Sequence, residues 1–542
     1  MVPGFLLLVL ELLALAAVGF VVARVGLRQG NDLSALAQGM VIGLALWGLA
    51  LNFVLRFVPG LAGLLLTWMA VLAAGAWMGW RAAADLRVPI RTLAGFTAAA
   101  FGLFWIALAS RQLLMNPDSI HLALAASINA GNWPPALPWN PDHEVPYHYA
   151  AALLMGMLAP PVGPDLPFTS EVLGAYAWTA FALIVGTTLA RRGGWTSAMV
   201  LTPLLLTAGA WALVIFTEVP SILKIAVPNG LPAAGLRSSL ADEYLPTVSL
   251  PWSAETEAAP ANIWRPSFVL AYALAFVALE RVVAMRRQGW PARLTVAGLL
   301  AFAGLLDEAV ALVALGLWTV LEAGRVIGGR PTWREAGRLL ARAGSGPALA
   351  ALLLAVGGGV ISGVLTGSAG GGLSLGWVAD ASGRTLLGSF VGLAGGVGIL
   401  GLGPVVVAGV AAVLARRDLL TLTLAGASAA FLLAAVSLQY EFAEHDVVRM
   451  DGHARNFALL AILVAVGDRV SALRVQWRIV AVALIAIVVT WPTVARPVRS
   501  VGLAVGNGVQ VANADARAHA FAEAAWFMGR ESMSPFASEA VM

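Results

Sequence analysis

Runs of about 20 apolar residues recur from one end of this 542-residue chain to the other, and nothing else constrains its folding so strongly. A helix of that length matches the roughly 30 Å hydrocarbon thickness of a bilayer. Composition agrees, because 60% of residues are hydrophobic and only 11% are charged. A soluble core could not bury that much apolar surface. Barrel strands would alternate apolar and polar residues, and these segments do not. The chain therefore reads as an all-α polytopic membrane protein, and its length counts spans rather than soluble domains.

Spans are expected near 4–23, 35–55, 61–80, 93–110, 171–190, 195–216, 266–285, 294–324, 346–366, 386–414, 419–438, 456–468 and 478–495. The 294–324 stretch is too long for one helix, so it is expected to form two short spans broken near Asp307. A shorter run at 149–160 ends in Pro160-Pro161 and reads as a short span or a re-entrant helix. The total comes to about 13–15 spans. The N-terminus turns apolar at once, without a basic leader or a small-residue cleavage site, and reads as a retained first helix.

Arginine placement sets the expected orientation. Arg24/Arg28, Arg81/Arg87/Arg91, Arg281/Arg293, Arg325 to Arg342, Arg416/Arg417 and Arg469/Arg474 mark cytoplasmic loops. Loops 112–148, 218–264, 367–385 and 439–455 are then expected outside. The N-terminus and the 496–542 tail are expected there too. Residues 1–92 read as N-terminal transmembrane helices that could form an added module on a 93–495 core.

Several function classes are excluded. The chain has no cysteine, which removes disulfides, thiolate metal sites and a Cys nucleophile. Its net charge is only +4, and its arginines are scattered over short loops, so no nucleic-acid footprint exists. The glycine-rich stretches 357–373 and 391–403 read as close helix packing and a flexible loop, not as a nucleotide cradle.

Chemistry concentrates in a polar island at 116–150. It holds Asp118, His121, Asp142, His143, Glu144, His148, Tyr147 and Tyr149, with no Arg or Lys to neutralise the acids. Pro117 suits a helix start, and Asp118 would sit in the first turn of a 118–130 helix, where the dipole favours a carboxylate. His121, three residues on, shares that face. The pair reads either as helix-start residues or as a general base for a substrate hydroxyl. The proline-rich run 133–149 reads as a rigid extended loop. Its Trp and Tyr residues fit a membrane interface or a sugar-stacking surface. Asp142, His143 and Glu144 are candidate substrate contacts, and Asp142 and Glu144 are candidate ligands for a divalent cation such as Mg or Mn.

Three later segments add candidates. In the 439–456 segment, Arg449, His453 and Arg455 could hold a phosphate, or could be neutralised by the acids around them. Asp307 and Glu308 are acids flanked by apolar residues, which makes them functional candidates in a membrane. Loop 218–264 is long enough to lie over a cleft as a lid. Five of the six histidines, His121, His143, His148, His445 and His453, fall in two expected outer loops, which favours one active face.

The first-loop pattern Asp118, His121, Ala125, Ile128, Gly131, Pro134, Pro135, Pro138, Tyr147 and Tyr149 resembles that of the GT-C superfamily of integral membrane glycosyltransferases. It is most similar to uncharacterised GT-C-like proteins with a tyrosine-rich first-loop motif. The resemblance implies a GT-C-like helical bundle in a bacterial plasma membrane, with its active site on the outer face. It implies a polyprenyl-phosphate sugar donor and a glycan, lipid or protein acceptor. It points to Asp118 as the catalytic base, and to Arg449 or Arg455 as the grip on the lipid phosphate. Two other readings remain open. An ion-coupled transporter or lipid flippase would use Glu11, Asp307 and Glu308. A lipid-linked glycan ligase or polymerase would rely on outer-loop Arg and His.

Overall fold

The computed structural model describes residues 2–83, 86–112, 119–137, 140–144, 149–158, 166–213, 266–284, 289–329, 332–366, 373–375, 408–415, 418–440, 444–474, 476–477 and 480. In chain order its helices are α1 (Val2–Val25), α2 (Asp32–Val54), α3 (Gly60–Arg81), α4 (Ile90–Gln112), α5 (Ser119–Asn129), α6 (Ala150–Met157), α7 (Leu166–Leu213) and α8 (Pro266–Ala284). There follow α9 (Trp290–Leu306), α10 (Glu308–Gly328), α11 (Trp333–Gly357), α12 (Gly359–Thr366), α13 (Leu419–Ser437) and α14 (Glu444–Ala472). Two small antiparallel ribbons are also present. β1 (Ala136–Leu137) pairs with β2 (Asn140–Glu144), and β3 (Leu373–Leu375) pairs with β4 (Leu438–Tyr440).

Among the described residues, six helices are long and apolar enough to cross a membrane, on α1, α2, α3, α7, α10 and α11. Shorter apolar helices lie on α4, α9, α13 and α14. The chain is an all-α membrane protein. Its outward faces agree with this: on α3, Leu61, Leu65, Met69 and Leu72 are exposed along one helical face, as lipid contact requires.

The described residues fall into two compact units. The first draws on Met1–Ile184 and Ile263–Ala369, the second on Val185–Asn262 and Gly370–Ser500.

In the first unit, α1 and α2 pack backbone to backbone. A Cβ built on Gly43 would lie 1.8 Å from the Leu15 carbonyl oxygen, and one on Gly19 would lie 2.0 Å from that of Gly39. Gly39 and Gly43 are four residues apart on α2, so one row of small residues sets the approach. The expected break in 294–324 is present. α9 ends at Leu306, Asp307 is extended, and α10 begins at Glu308. Arg293 on α9 lies 3.8 Å from Glu322 on α10. A straight helix would hold those residues about 43 Å apart, so α9 and α10 form a hairpin turning at Asp307.

This unit has two distinct polar ends. At one, Arg24 pairs with Asp32 at 2.6 Å. Gln29 donates to Gln38, and Gln38 to buried Glu280, which also lies beside Arg281. Arg293 donates to the Arg342 and Ala343 carbonyls, and Arg325 to that of Val282. These residues come from the segments in which the sequence concentrates arginine. The other polar end is built on the far tips of α2, α9 and α11.

In the second unit, α13 packs along α14. The 186–213 part of α7 bends at Gly194, which has a φ of +76°. The Ser197 hydroxyl donates to the Gly467 carbonyl at 2.6 Å, Arg192 pairs with Asp418 at 2.8 Å, and Arg469 donates to the Leu414 carbonyl at 3.1 Å. Segments 191–197, 414–418 and 467–469 therefore meet at one end. The arginine pattern assigns 414–418 and 467–469 to the same membrane face.

Three expectations are corrected. Within the expected 439–455 loop, residues 444–455 are helical instead, because α14 begins at Glu444; residues 441–443 lie outside the described residues. Its charged residues lower hydropathy without opposing a helix, and Glu444 and Asp446 suit a first turn. The arginine-rich stretch from Arg334 to Arg342 is likewise helical, as the start of α11. The 346–366 span is not continuous, since α11 ends at Gly357 and α12 starts at Gly359. The 149–160 run contains α6, eight residues and about 12 Å long, which is too short to cross a bilayer by itself. Loop 218–264 and the 496–542 tail lie outside the described residues.

Two predictions follow from these contacts. Gly43→Leu forces α1 and α2 apart, so purified protein should lose thermal stability and monodispersity, whereas Gly95→Leu, at an open position, should not. Burial pushes the Asp418 carboxyl up, but hydrogen bonds from Arg192 and Thr421 and the Arg192 charge outweigh it and hold the carboxyl below the ordinary Asp range. That contribution is present above the ordinary value near about 4 and is lost as pH falls through the lowered one. Acid titration of thermal stability should therefore be shallower in Asp418→Asn than in the wild type.

Candidate functional site

A helix leaves its last carbonyls without intrahelical partners, and burying them unpaired is costly. α11 meets this demand at Val356 and Gly357. Gly358 and Gly359 have φ values of +92° and +73°, so the chain turns away and leaves the carbonyls of Val356 and Gly357 open. Side chains from distant segments close them. Arg56 donates to Val356 at 2.6 Å and also to Gly357. Asn52, in the last turn of α2, donates its amide to Gly357 at 2.8 Å.

Tyr149 is the third member. Its hydroxyl lies 2.8 Å from the Asn52 side-chain oxygen and 3.1 Å from the Gly357 carbonyl. One phenolic proton serves one of these acceptors at a time. The side chain is 4% exposed, and Trp133 meets it edge to face with ring centroids 5.5 Å apart. A Cβ at Gly358 would fall 2.5 Å from the Tyr149 hydroxyl and 2.8 Å from the Arg56 guanidinium, so only glycine fits.

Through Tyr149 this clamp holds the polar island. Tyr149 leads into α6, which is buried over its whole length. A Cβ on Gly156 of α6 would lie 2.6 Å from the Ala125 carbonyl of α5, so the two helices are in close contact. Asn129 donates to the Gly156 carbonyl at 3.0 Å, and Asn132 to the Ser127 hydroxyl at 3.2 Å. α5, the turn after it, and α6 form one rigid mount.

The expected site residues distribute as follows. His121 lies on α5, so the expected helix over 118–130 is present as Ser119–Asn129. Asp118, one residue before that helix, lies outside the described residues, as do Tyr147 and His148. Asp142, His143 and Glu144 are successive residues of β2. Within the expected extended run 133–149, residues 136–137 and 140–144 form a ribbon, with Ala136 opposite Glu144. Among the described residues no cluster of three His, Asp or Glu groups gathers.

Asp307 is 5% exposed, and its carboxylate accepts from the Val310 amide at 3.0 Å, capping α10. Glu308 occupies the first turn of the same helix, where the dipole favours it. A Cβ at Gly357 would meet Leu305 at 3.8 Å, so the hairpin turn lies at the same end of this unit as the clamp.

In the second unit, Arg449, His453 and Arg455 all lie on α14. His453 is 1% exposed, with its ring 5.0 Å from that of Phe431 on α13. Phe431 in turn stacks on Phe457 at 5.4 Å.

Sequence reasoning missed Asn52 and Arg56. The signal was present: an amide and a guanidinium close the otherwise apolar LALNFVLRF segment. No family model, curated protein or solved structure matches the chain.

The clamp generates a double-mutant test. Tyr149→Phe and Asn52→Leu should each destabilise by about 1–3 kcal/mol, as expected for a buried hydrogen bond with a stranded partner. The double variant should cost less than their sum, by about 0.5 kcal/mol or more, read by thermal or denaturant unfolding in detergent.

Proposed function

We propose that the protein is an integral membrane glycosyltransferase of the GT-C kind, which moves a sugar from a polyprenyl-phosphate donor to an acceptor hydroxyl. One observation carries this reading. The polar island, with acids and imidazoles and no Arg or Lys, leads through Tyr149 into buried helix α6, and Tyr149 is clamped at the end of its unit opposite the arginine-rich end. A loop that only joined two spans would not need such a mount. A reacting group does, because small misplacements of a catalytic group cost large factors in rate.

In this proposal the acceptor oxygen attacks the anomeric carbon as the bond from that carbon to the phosphate oxygen breaks. The acceptor proton passes to the Asp118 carboxylate, with His121 beside it in sequence to share or orient that proton. The polyprenyl phosphate leaves with its electron pair as an anion, which calls for a cation rather than a strong acid. Arg449 and Arg455 are assigned that role, with guanidinium forks that match phosphoryl oxygens. A single displacement inverts the anomeric centre. The reaction belongs on the outer face of a bacterial plasma membrane. Asp142, His143, Glu144 and Tyr147 are assigned to the acceptor. Asp307 has a sufficient structural role as the cap of α10, which weakens the transporter alternative.

Asp118→Asn should abolish transfer from a polyprenyl-phosphate sugar while leaving thermal stability and lipid-phosphate binding intact. Near-normal turnover in that variant would remove Asp118 from the reaction. Bare polyprenyl phosphate should raise the melting temperature of the wild type, and Arg449→Ala should lose that shift. An equal shift in both would place the phosphate elsewhere.

A further inference from the structure

α11 is longer than a membrane needs. Its 25 residues span about 37 Å, against about 30 Å of hydrocarbon. The surplus is at its N-terminal end, because the far end stops at the clamp on Gly357. Arg293 fixes the level at which the surplus begins, by donating to the carbonyls of Arg342 and Ala343 at 2.7 and 2.8 Å. From Ala343 onward the helix has buried positions, whereas Glu335 and 337–342 are all exposed.

The surplus segment is basic and amphipathic. Arg334, Arg338 and Arg342 recur every fourth residue, interleaved with Leu339 and Leu340 and preceded by Trp333. Leu339 and Leu340 are 42% and 43% exposed. Arg338 and Arg342 are exposed, and neither guanidinium has an ion-pair or hydrogen-bond partner among the described residues. The nearby acid, Glu335, is already engaged by the backbone amide and hydroxyl of Thr332 at 3.1 and 2.9 Å. Three other arginines at this end are engaged internally. Arg24, Arg293 and Arg325 are all occupied by internal carboxylates or carbonyls.

We propose that the Thr332–Arg342 extension of α11 is a docking surface for anionic phospholipid headgroups. Charge complementarity selects the partner: the segment carries three arginines in sequence, Arg338 and Arg342 exposed, against one glutamate already engaged by Thr332. The exposed leucines enter the acyl boundary, and the guanidinium groups meet the phosphodiesters with fork geometry. The assignment is independent of any glycosyl-transfer activity.

The test uses the full-length protein in a neutral detergent, titrated with phosphatidylglycerol, phosphatidylcholine or inorganic phosphate. The readouts are melting temperature and lipids retained in native mass spectrometry. Phosphatidylglycerol should stabilise the wild type at low salt, phosphatidylcholine and inorganic phosphate should not, and 0.5 M NaCl should weaken the effect. Replacing Arg334, Arg338 and Arg342 with Gln should lower the apparent affinity about fivefold per arginine. The matched Arg81→Gln, Arg87→Gln, Arg91→Gln variant should keep wild-type affinity. Equal stabilisation by phosphatidylcholine, an unchanged response in the α11 variant, or the same loss in the control variant would each overturn the proposal. A response to inorganic phosphate alone would identify a free-anion site instead. If the α11 variant does not fold, the headgroup and salt dependence of the wild type decides the matter, and a response indifferent to both contradicts the assignment.

Discussion

A bilayer offers no water to a backbone group that loses its helical partner, and the first unit is organised around that demand. At the tip of α11 the open carbonyls of Val356 and Gly357 are closed by Asn52, Arg56 and Tyr149. At the tip of α9 the chain reverses, and the first free amides of α10 are met by the Asp307 carboxylate. Both breaks occur at the same end. Ending helices there makes room for short elements such as α6, and each short element is then tied down by the groups that cap its neighbours. The same hydrogen bonds that satisfy α11 also hold the loop bearing the candidate chemistry. Tyr149 therefore ties that loop to the end of α11: a change made to loosen the loop also leaves the buried Asn52 side-chain oxygen without the Tyr149 hydroxyl.

The opposite end follows a different rule. Its charges are numerous, and those near the core are paired internally. Glu280 sits between Gln38 and Arg281, and Glu322 between Arg293 and Arg325. Such contacts register α2 against α8 and α9 against α10 rather than add much net stability, since desolvation offsets most of the attraction of their ion pairs. The unpaired arginines lie farther out, on the surplus turns of α11 and around α3 and α4. In the second unit, Arg192, Asp418 and Arg469 likewise join three segments at one end.

What was legible in the sequence depended on the range of the interaction. The Asp307 break could be read locally, from an acid placed inside an apolar stretch too long for one span. The α5 helix was readable from Pro117 and the apolar spacing after it, and the proline run at 133–149 announced an extended ribbon. The clamp was not readable, because Asn52 and the Gly357 carbonyl it serves are 305 residues apart. A lone amide at a span end has no partner until the fold supplies one. Tyr149 was visible as part of a Tyr-x-Tyr pattern and was assigned to substrate, yet its hydroxyl is occupied by Asn52 and the end of α11. The helices at 333–342 and 444–455 are hidden in the sequence because their low hydropathy reads as a loop. Charged side chains forbid burial in lipid, but they do not oppose helix formation beyond it.

The account stands on the two polar ends facing opposite sides of the membrane, and the lack of any native cysteine makes that directly measurable. Single cysteines at Asn132, in the exposed turn after α5, and at Gly337, on the exposed start of α11, can be reacted with a membrane-impermeant maleimide in intact cells. The predicted result is labelling of Asn132→Cys from outside, with Gly337→Cys reacting only after the membrane is permeabilised. Labelling of both in intact cells, or the reverse order, would contradict the arrangement from which the proposed site is drawn.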